Sequence, residues 1–280
     1  MTDHPRILLH HNAPDPLTAR LERAFPKATH ASCTTYDDLP EAVSTFKPDV
    51  VYTVRFTSGQ SYPRDALFGP GGPRWIANGG AGTDHLGHWD STQVTVTNAA
   101  GVAAHMMAEY VMGGFLHFTL DIPGLQTDKS NRHWNASRLV RPLQGRTLLI
   151  VGLGHTGRAL AARAKAFGMR VIGTRSRPRD MENVDVVESP DALKRLAREA
   201  DFIAVCTPLT ERTRGLISAD LISAMKSGAI FADVSRGGVT DQTALHDALK
   251  SKRLAGAVLD VFETEPLPET SPLWVLDNTL

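Results

Sequence analysis

The run Thr147-Leu148-Leu149-Ile150-Val151 leads directly into Gly152-Leu153-Gly154-His155-Thr156-Gly157 and then into an alanine-rich stretch ending at Phe167. A continuous apolar run of this length reads as a strand buried on both faces, and the alanine-rich stretch reads as a helix. Between them the glycines have separate jobs. Gly152 permits the tight turn, Gly154 lets a pyrophosphate approach the backbone, and Gly157 lets helix and strand pack closely. The N–H groups at the helix start, around His155 and Thr156, face a positive dipole end suited to phosphate. A glycine repeat alone is weak, but here it stands between a strand and a helix, with a second strand, Arg170–Gly173, behind them. That context predicts a dinucleotide site.

The end of the second strand bears on which dinucleotide. An acidic residue about 20 positions after the first glycine would bind the ribose hydroxyls of NAD. This chain has Thr174-Arg175-Ser176-Arg177 there, with no carboxylate before Asp180. Guanidinium forks and hydroxyls match a 2′-phosphate, so NADP(H) is the expected cofactor, with NAD(H) as the other possibility.

Strands and helices alternate along the rest of the chain, which predicts an α/β protein with parallel sheets. After Arg146 the strands read as Thr147–Val151, Arg170–Gly173, Phe202–Thr207, Ala229–Val234 and Gly256–Val261, with helices between them. In the first hundred residues Ile7–His10, Val50–Val54, Arg74–Ala77 and Val94–Thr97 read as strands and Leu17–Phe25 as a helix. Ala99–Leu120 reads as one long helix, with Val102, Met106, Tyr110 and Gly113 along one face, and Asp121–Gly145 as a polar stretch without regular structure. Thirty basic and 30 acidic residues balance, which argues against a nucleic-acid or acidic-membrane partner. No apolar run approaches the roughly 18 residues of a membrane span. Cys33 and Cys206 are too few for a disulfide framework and show no metal-site spacing, so a reducing, cytoplasmic setting is expected without a metal.

Three further segments share an explanation: Asn78-Gly79-Gly80-Ala81-Gly82-Thr83-Asp84-His85-Leu86, Asp233-Val234-Ser235-Arg236-Gly237-Gly238, and Leu259-Asp260-Val261-Phe262-Glu263-Thr264-Glu265-Pro266. Arg236 lies just past a strand's C-terminal end, where open α/β sheets bind ligands. It can grip a carboxylate but cannot supply a proton. The small residues of Gly79–Gly82 let backbone amides reach a carboxylate. Together with Gly152–Gly157, Cys206-Thr207-Pro208 and Ser271-Pro272-Leu273-Trp274, these segments resemble the D-2-hydroxyacid dehydrogenase family, and within it the NADPH-dependent glyoxylate/hydroxypyruvate reductases.

The resemblance implies two doubly wound parallel-sheet domains: a flavodoxin-like substrate domain over 1–98 and a Rossmann cofactor domain over 99–280 with linking helix 99–120. It makes Arg236 the holder of the substrate carboxylate and carbonyl, and Glu265 the partner of a catalytic histidine. It sets Asp260 against the nicotinamide carboxamide, Thr207, Pro208 and Ser235 along the cofactor, and Arg55, Ala81 and Gly82 with Arg236 around the substrate. Trp134 is expected to wall one side of the pocket. The implied reaction is reduction of small 2-oxo acids, glyoxylate or hydroxypyruvate, in a homodimer. A dinucleotide-sensing corepressor of the same fold, formate or phosphonate oxidation, and an NAD-linked dehydrogenase for a larger 2-hydroxy acid are the alternatives. The resemblance puts the proton-donating histidine beyond Leu280, and all eleven histidines here precede Glu265. Val275–Leu280 reads as an unfinished strand, so a longer natural protein is expected, whose continuation supplies that histidine and a helix of the first domain.

Overall fold

The computed structural model describes residues 4–56 and 60–280. The chain forms two compact units, Met1–Val102 and Ala103–Leu280. In the first, strands β1 (Arg6–His10), β2 (Thr29–Cys33), β3 (Val50–Thr53), β4 (Trp75–Asn78) and β5 (Thr95–Asn98) form a wholly parallel sheet in the order 2-1-3-4-5. That is the flavodoxin-like doubly wound order. Helices α1 (Asp15–Ala24), α2 (Asp38–Phe46) and α3 (Asp65–Phe68) make the connections. Leu8, Val51 and Ile76 of neighbouring strands pack with Leu39 and Val43 of α2 and Leu67 of α3 into one core. The edge strand β2, Thr29-His30-Ala31-Ser32-Cys33, has no apolar alternation, so only its pairing with β1 reveals it.

The second unit begins with α4 (Ala104–Thr119) and α5 (Ile122–Ser130). Strands β6 (Thr147–Val151), β7 (Arg170–Thr174), β8 (Val186–Glu188), β9 (Phe202–Val205), β10 (Ile230–Asp233) and β11 (Gly256–Leu259) then form a parallel sheet in the order 8-7-6-9-10-11. This is the Rossmann order. Its helices are α6 (His155–Ala166), α7 (Leu193–Glu199), α8 (Ala219–Ala224) and α9 (Gln242–Lys250). Successive strand residues face opposite layers. Leu149, Val151, Ile203 and Phe231 pack towards α7, α8 and α9, whereas Leu148, Ile150, Phe202 and Ala232 pack towards α4 and α6. Burial on both faces is why these strands read as continuous apolar runs.

Three expectations change. Helix α4 starts at Ala104, because Gly101 (φ +93°) sits in a turn ahead of it. Its buried face carries Ala108, Val111, Met112 and Phe115, whereas Val102 and Met106 are 84% and 64% exposed. Several apolar stripes could be drawn on so apolar a segment, and only packing on the sheet selects one. The polar stretch after it contains α5, started by the Asp121 carboxylate accepting the Gly124 N–H at 3.2 Å. Finally, Pro272–Val275 is a 3₁₀ turn, and only 278–280 lie along β11, where the Leu259 N–H donates to the Leu280 carbonyl and the Leu280 N–H to the Ala257 carbonyl. No helix among the described residues is long and apolar enough to cross a membrane.

At the C-terminal edge of the first sheet, His10 is fully buried. Its Nε2 donates to the Thr35 carbonyl (3.2 Å), so in the neutral ring Nδ1 accepts from Thr53 Oγ1 (2.8 Å), which in turn accepts from the Tyr62 hydroxyl (2.6 Å). Burial pushes His10 down to about 4, against the opposing pull of the Thr35 carbonyl and Asp38. Between pH 4 and 6.5 the unfolded chain therefore binds a proton that the folded chain refuses. The stabilising contribution is complete above pH 6.5 and is lost as pH falls towards 4, about 2 kcal/mol of it between pH 7 and 5. Urea unfolding at those two pH values is expected to show this loss in the wild type and a correspondingly smaller loss in His10→Gln.

Candidate functional site

Each unit carries one cluster of the expected residues. In the second unit, β6 ends at Gly152, whose φ of +100° and approach to the Thr207 backbone exclude a side chain: a Cβ would lie 2.9 Å from Thr207 Cα. The Gly152 and Leu153 N–H groups donate to the Thr174 carbonyl at 3.2 and 3.1 Å, tying the glycine turn to the end of β7. A Cβ on Gly157 would collide with the Gly152 carbonyl oxygen, whereas one on Gly154 would meet nothing within 4 Å. The structure thus brings Gly152, Gly154, His155, Thr156, Gly157, Thr174 and Thr207 together where β6 and β9 diverge, with Pro208 next in the chain. The first turn of α6 presents backbone N–H groups there, and the open space at Gly154 fits a dinucleotide's pyrophosphate.

Beyond β7, Thr174 is buried and Arg175 half-buried, with Ser176 and Arg177 exposed. The Arg175 N–H donates to the Glu188 carbonyl (3.0 Å) and its Nη1 lies 3.6 Å from Met181 Sδ. No carboxylate takes the Arg175 guanidinium among the described residues, so its charge is available to an anion.

Arg236 stands at the end of the turn after β10, half-buried, with Nη1 donating to its neighbour's carbonyl on Ser235 at 2.8 Å. The turn rests against the segment after β11, because a Cβ on Gly237 would collide with the Phe262 carbonyl. Gln242 and Glu263 exchange N–H and side-chain bonds across the same contact (3.5 and 3.1 Å). This brings Asp260 into the electrostatic reach of Arg236 on one loop and of Glu265 on its own. Partial burial, then the Glu265 carboxylate, raise the Asp260 carboxyl above the usual range, and Arg236 opposes them. The Glu265 carboxylate accepts the Phe262 N–H at 3.1 Å.

Two residues without an assigned role hold this turn. Asp233 is 2% exposed and accepts from Ser235 N (2.9 Å), Ser235 Oγ (2.5 Å) and Thr240 Oγ1 (2.6 Å). Burial pushes its carboxyl up to about 6, although these donors favour the charged form. The Ser235 hydroxyl, expected along a cofactor, is thereby engaged in holding the turn. The readable signal was an Asp closing an apolar strand, followed by Ser at the second position after it.

In the first unit, Asn78 and Asn98 act on the glycine loop. Asn78 Nδ2 donates to the Gly80 and Gly82 carbonyls (2.8 and 2.9 Å), and Asn98 Nδ2 donates to the Ala81 carbonyl (2.8 Å). With three consecutive carbonyls occupied, the N–H groups of Ala81 and Gly82 have no acceptor among the described residues and are available to an anion. Arg55, exposed beyond β3, lies 3.7 Å from Asp84. Trp134 is 92% exposed, and the segment that follows it turns back through Arg138, which pairs with Asp121 and Asp128.

Known proteins resemble this chain in sequence and in structure. The family model described as "D-isomer specific 2-hydroxyacid dehydrogenase, NAD binding domain" matches residues 112–280. A D-3-phosphoglycerate dehydrogenase of Methanocaldococcus jannaschii is 35% identical over 244 residues, covering 86% of this chain and 46% of the relative. A glyoxylate reductase of Korarchaeum cryptofilum is 36% identical over 217 residues, covering 74% of this chain and 64% of the relative. The chain thus spans between about half and two-thirds of the length of these curated relatives. Among solved structures, a D-isomer specific 2-hydroxyacid dehydrogenase from Xanthobacter autotrophicus Py2, in complex with NADPH and MES, superimposes with a TM-score of 0.82 at 28% identity, covering 99% of this chain and 87% of that one.

The contact at Gly237 can be tested without a ligand. A methyl group there must displace backbone, so Gly237→Ala is expected to cost about 1–3 kcal/mol and lower the thermal midpoint by several degrees. Gly113→Ala, on an exposed helix position with nothing within 4 Å, is expected to be neutral or to stabilise by up to about 1 kcal/mol.

Proposed function

The chain belongs to the D-isomer specific 2-hydroxyacid dehydrogenase family, and on that premise we propose that it reduces small 2-oxo acids, glyoxylate and hydroxypyruvate, to D-2-hydroxy acids with NADPH. The observation that carries the reading is the turn after β10, which brings Arg236 into electrostatic reach of Asp260, itself in reach of Glu265, in a Rossmann-ordered sheet that also bears the Gly152 turn. In this reading Gly152, Gly154, His155, Thr156 and Gly157 hold the pyrophosphate, and Thr207, Pro208, Ser235 and Asp260 line the nicotinamide side. Thr174 anchors the strand end, while Arg175, Ser176 and Arg177 take the 2′-phosphate. The bound nicotinamide supplies the hydride for the ketone carbon. The chain's own residues orient the acid. Arg236 grips its carboxylate and carbonyl as a two-pronged donor, and Glu265 is the acidic partner for a proton-donating group. Arg55 and the Ala81 and Gly82 N–H groups form the first unit's carboxylate-binding set.

Preference for a small acid is supported by the first unit, where small residues form the Gly79–Gly82 loop and His10, Tyr36, Phe56, Tyr62 and His85 pack ring against ring. The M. jannaschii relative favours a second reading, a phosphorylated three-carbon acid. A homodimer in the cytoplasm completes the proposal. The Ala99–Leu120 segment and the polar stretch after it, which expose Val102, Met106, Leu125, Trp134, Leu139 and Val140, are assigned to the dimer, and Cys33 and Cys206 are free thiols.

Steady-state oxidation of the reduced cofactor tests the reading. Glyoxylate and hydroxypyruvate are expected to exceed phenylpyruvate and 3-phosphohydroxypyruvate at least tenfold in kcat/KM. NADPH is expected to be preferred to NADH at least tenfold, about 1.4 kcal/mol, and Arg175→Asp to erase the preference. Higher turnover of 3-phosphohydroxypyruvate would establish the second reading, and equal affinity for both cofactors would remove the role given to Arg175. Light scattering at micromolar concentration is expected to return twice the 30.4 kDa chain mass.

A further inference from the structure

We propose that Asp233 is the positioning residue for Arg236, its buried carboxylate bolting the arginine-bearing turn to the entrance of α9. The inference rests on the proposed role of Arg236 in substrate binding. Its physical basis is the arrangement of donors. One carboxylate oxygen takes both the backbone N–H and the hydroxyl of Ser235, the residue immediately before Arg236, and the other takes the hydroxyl of Thr240. Thr240 is itself fixed, because it bridges Ile217 and the following Asp241 N–H donates to the Ile217 carbonyl at 2.9 Å. The Asp233 carbonyl meanwhile accepts the Asp260 N–H at 3.0 Å. A single residue therefore sets where the turn after β10 leaves the sheet and where the segment after β11 begins.

The chemistry suits a carboxylate. It is acceptor-only, and three donors converge on it. Asparagine can keep the arrangement, with its oxygen towards Ser235 and its amide towards a reversed Thr240 hydroxyl. Alanine leaves the Ser235 N–H and the Thr240 hydroxyl without an acceptor in a buried space, and the Ser235 hydroxyl with only the Arg236 carbonyl at 3.5 Å. The guanidinium of Arg236 bonds to the Ser235 carbonyl, so a shift of Ser235 moves the arginine with it. A long side chain swinging by an ångström loses a two-pronged grip while leaving the glycine turn untouched.

The test compares wild type, Asp233→Ala, Asp233→Asn and Thr240→Val. Asp233→Ala is expected to raise KM for glyoxylate at least tenfold and lower kcat, while the Kd of NADPH, whose nicotinamide side Ser235 and Asp260 line, rises by no more than about threefold. Asp233→Asn is expected to restore KM to within threefold of wild type, and Thr240→Val to fall between. If Asp233→Ala does not fold, Thr240→Val carries the comparison. Unchanged KM in the alanine and valine variants overturns the proposal, as does a parallel loss of NADPH affinity. If the full protein turns over no 2-oxo acid, the functional reading fails, and the positioning claim is judged separately by phenylglyoxal labelling of Arg236, mapped by mass spectrometry. Labelling at least fivefold faster in Asp233→Ala (or in Thr240→Val, should Asp233→Ala not fold), reversed in Asp233→Asn, supports it. Equal labelling overturns it.

Discussion

The close approach of Gly157 to the Gly152 carbonyl lets the alanine-rich face of α6 settle onto β6. With the helix held there, its first-turn N–H groups stand over the end of β6, and the Thr174 carbonyl can accept from both Gly152 and Leu153. A side chain at Gly157 would lift the helix from the strand, and the turn would lose both its shape and its register with β7. The anion-binding character of this edge is therefore a packing result before it is an electrostatic one.

The turn after β10 and the segment after β11 obey the same logic. Gly237 lies so close to the Phe262 carbonyl that the two loops share one surface, and the Asp233 carboxylate fixes where the first loop departs. Asp260 consequently feels the charges of both Arg236 and Glu265, although Arg236 lies on the other loop. The cost is a carboxylate buried where its charged form is disfavoured. The three donors that converge on it offset that cost, and an apolar side chain in its place would leave them without it.

In the first unit, two asparagine amides take three consecutive carbonyls of the Gly80–Gly82 loop. Small residues alone would leave this loop many conformations. The amides choose one and turn the N–H groups outwards. Behind it, neutral His10 and its hydroxyl chain hold the ends of β1 and β3 together. Both devices are side-chain hydrogen bonds to backbone or hydroxyl groups, which in the interior tolerate no missing partner.

The sequence by itself determined five of the second unit's six strands and the glycine turn after the first of them. Its strands are buried on both faces and its glycines are forced by contacts within one βα unit, so the pattern and the contact lie close together in the chain. It also fixed that Arg236 stands beyond a strand end, because strand boundaries follow from apolar runs. It did not determine β2 or β8, short strands whose residues carry no alternation, or which face of α4 is buried, since that segment is apolar on more than one side. Asp233 to Thr240, Asn98 to Ala81 and Gly237 to Phe262 were decided only by tertiary structure. Each joins groups whose chain separation is set by loops and sheet order, and an Asp, Asn or Gly in isolation does not disclose which backbone will arrive beside it.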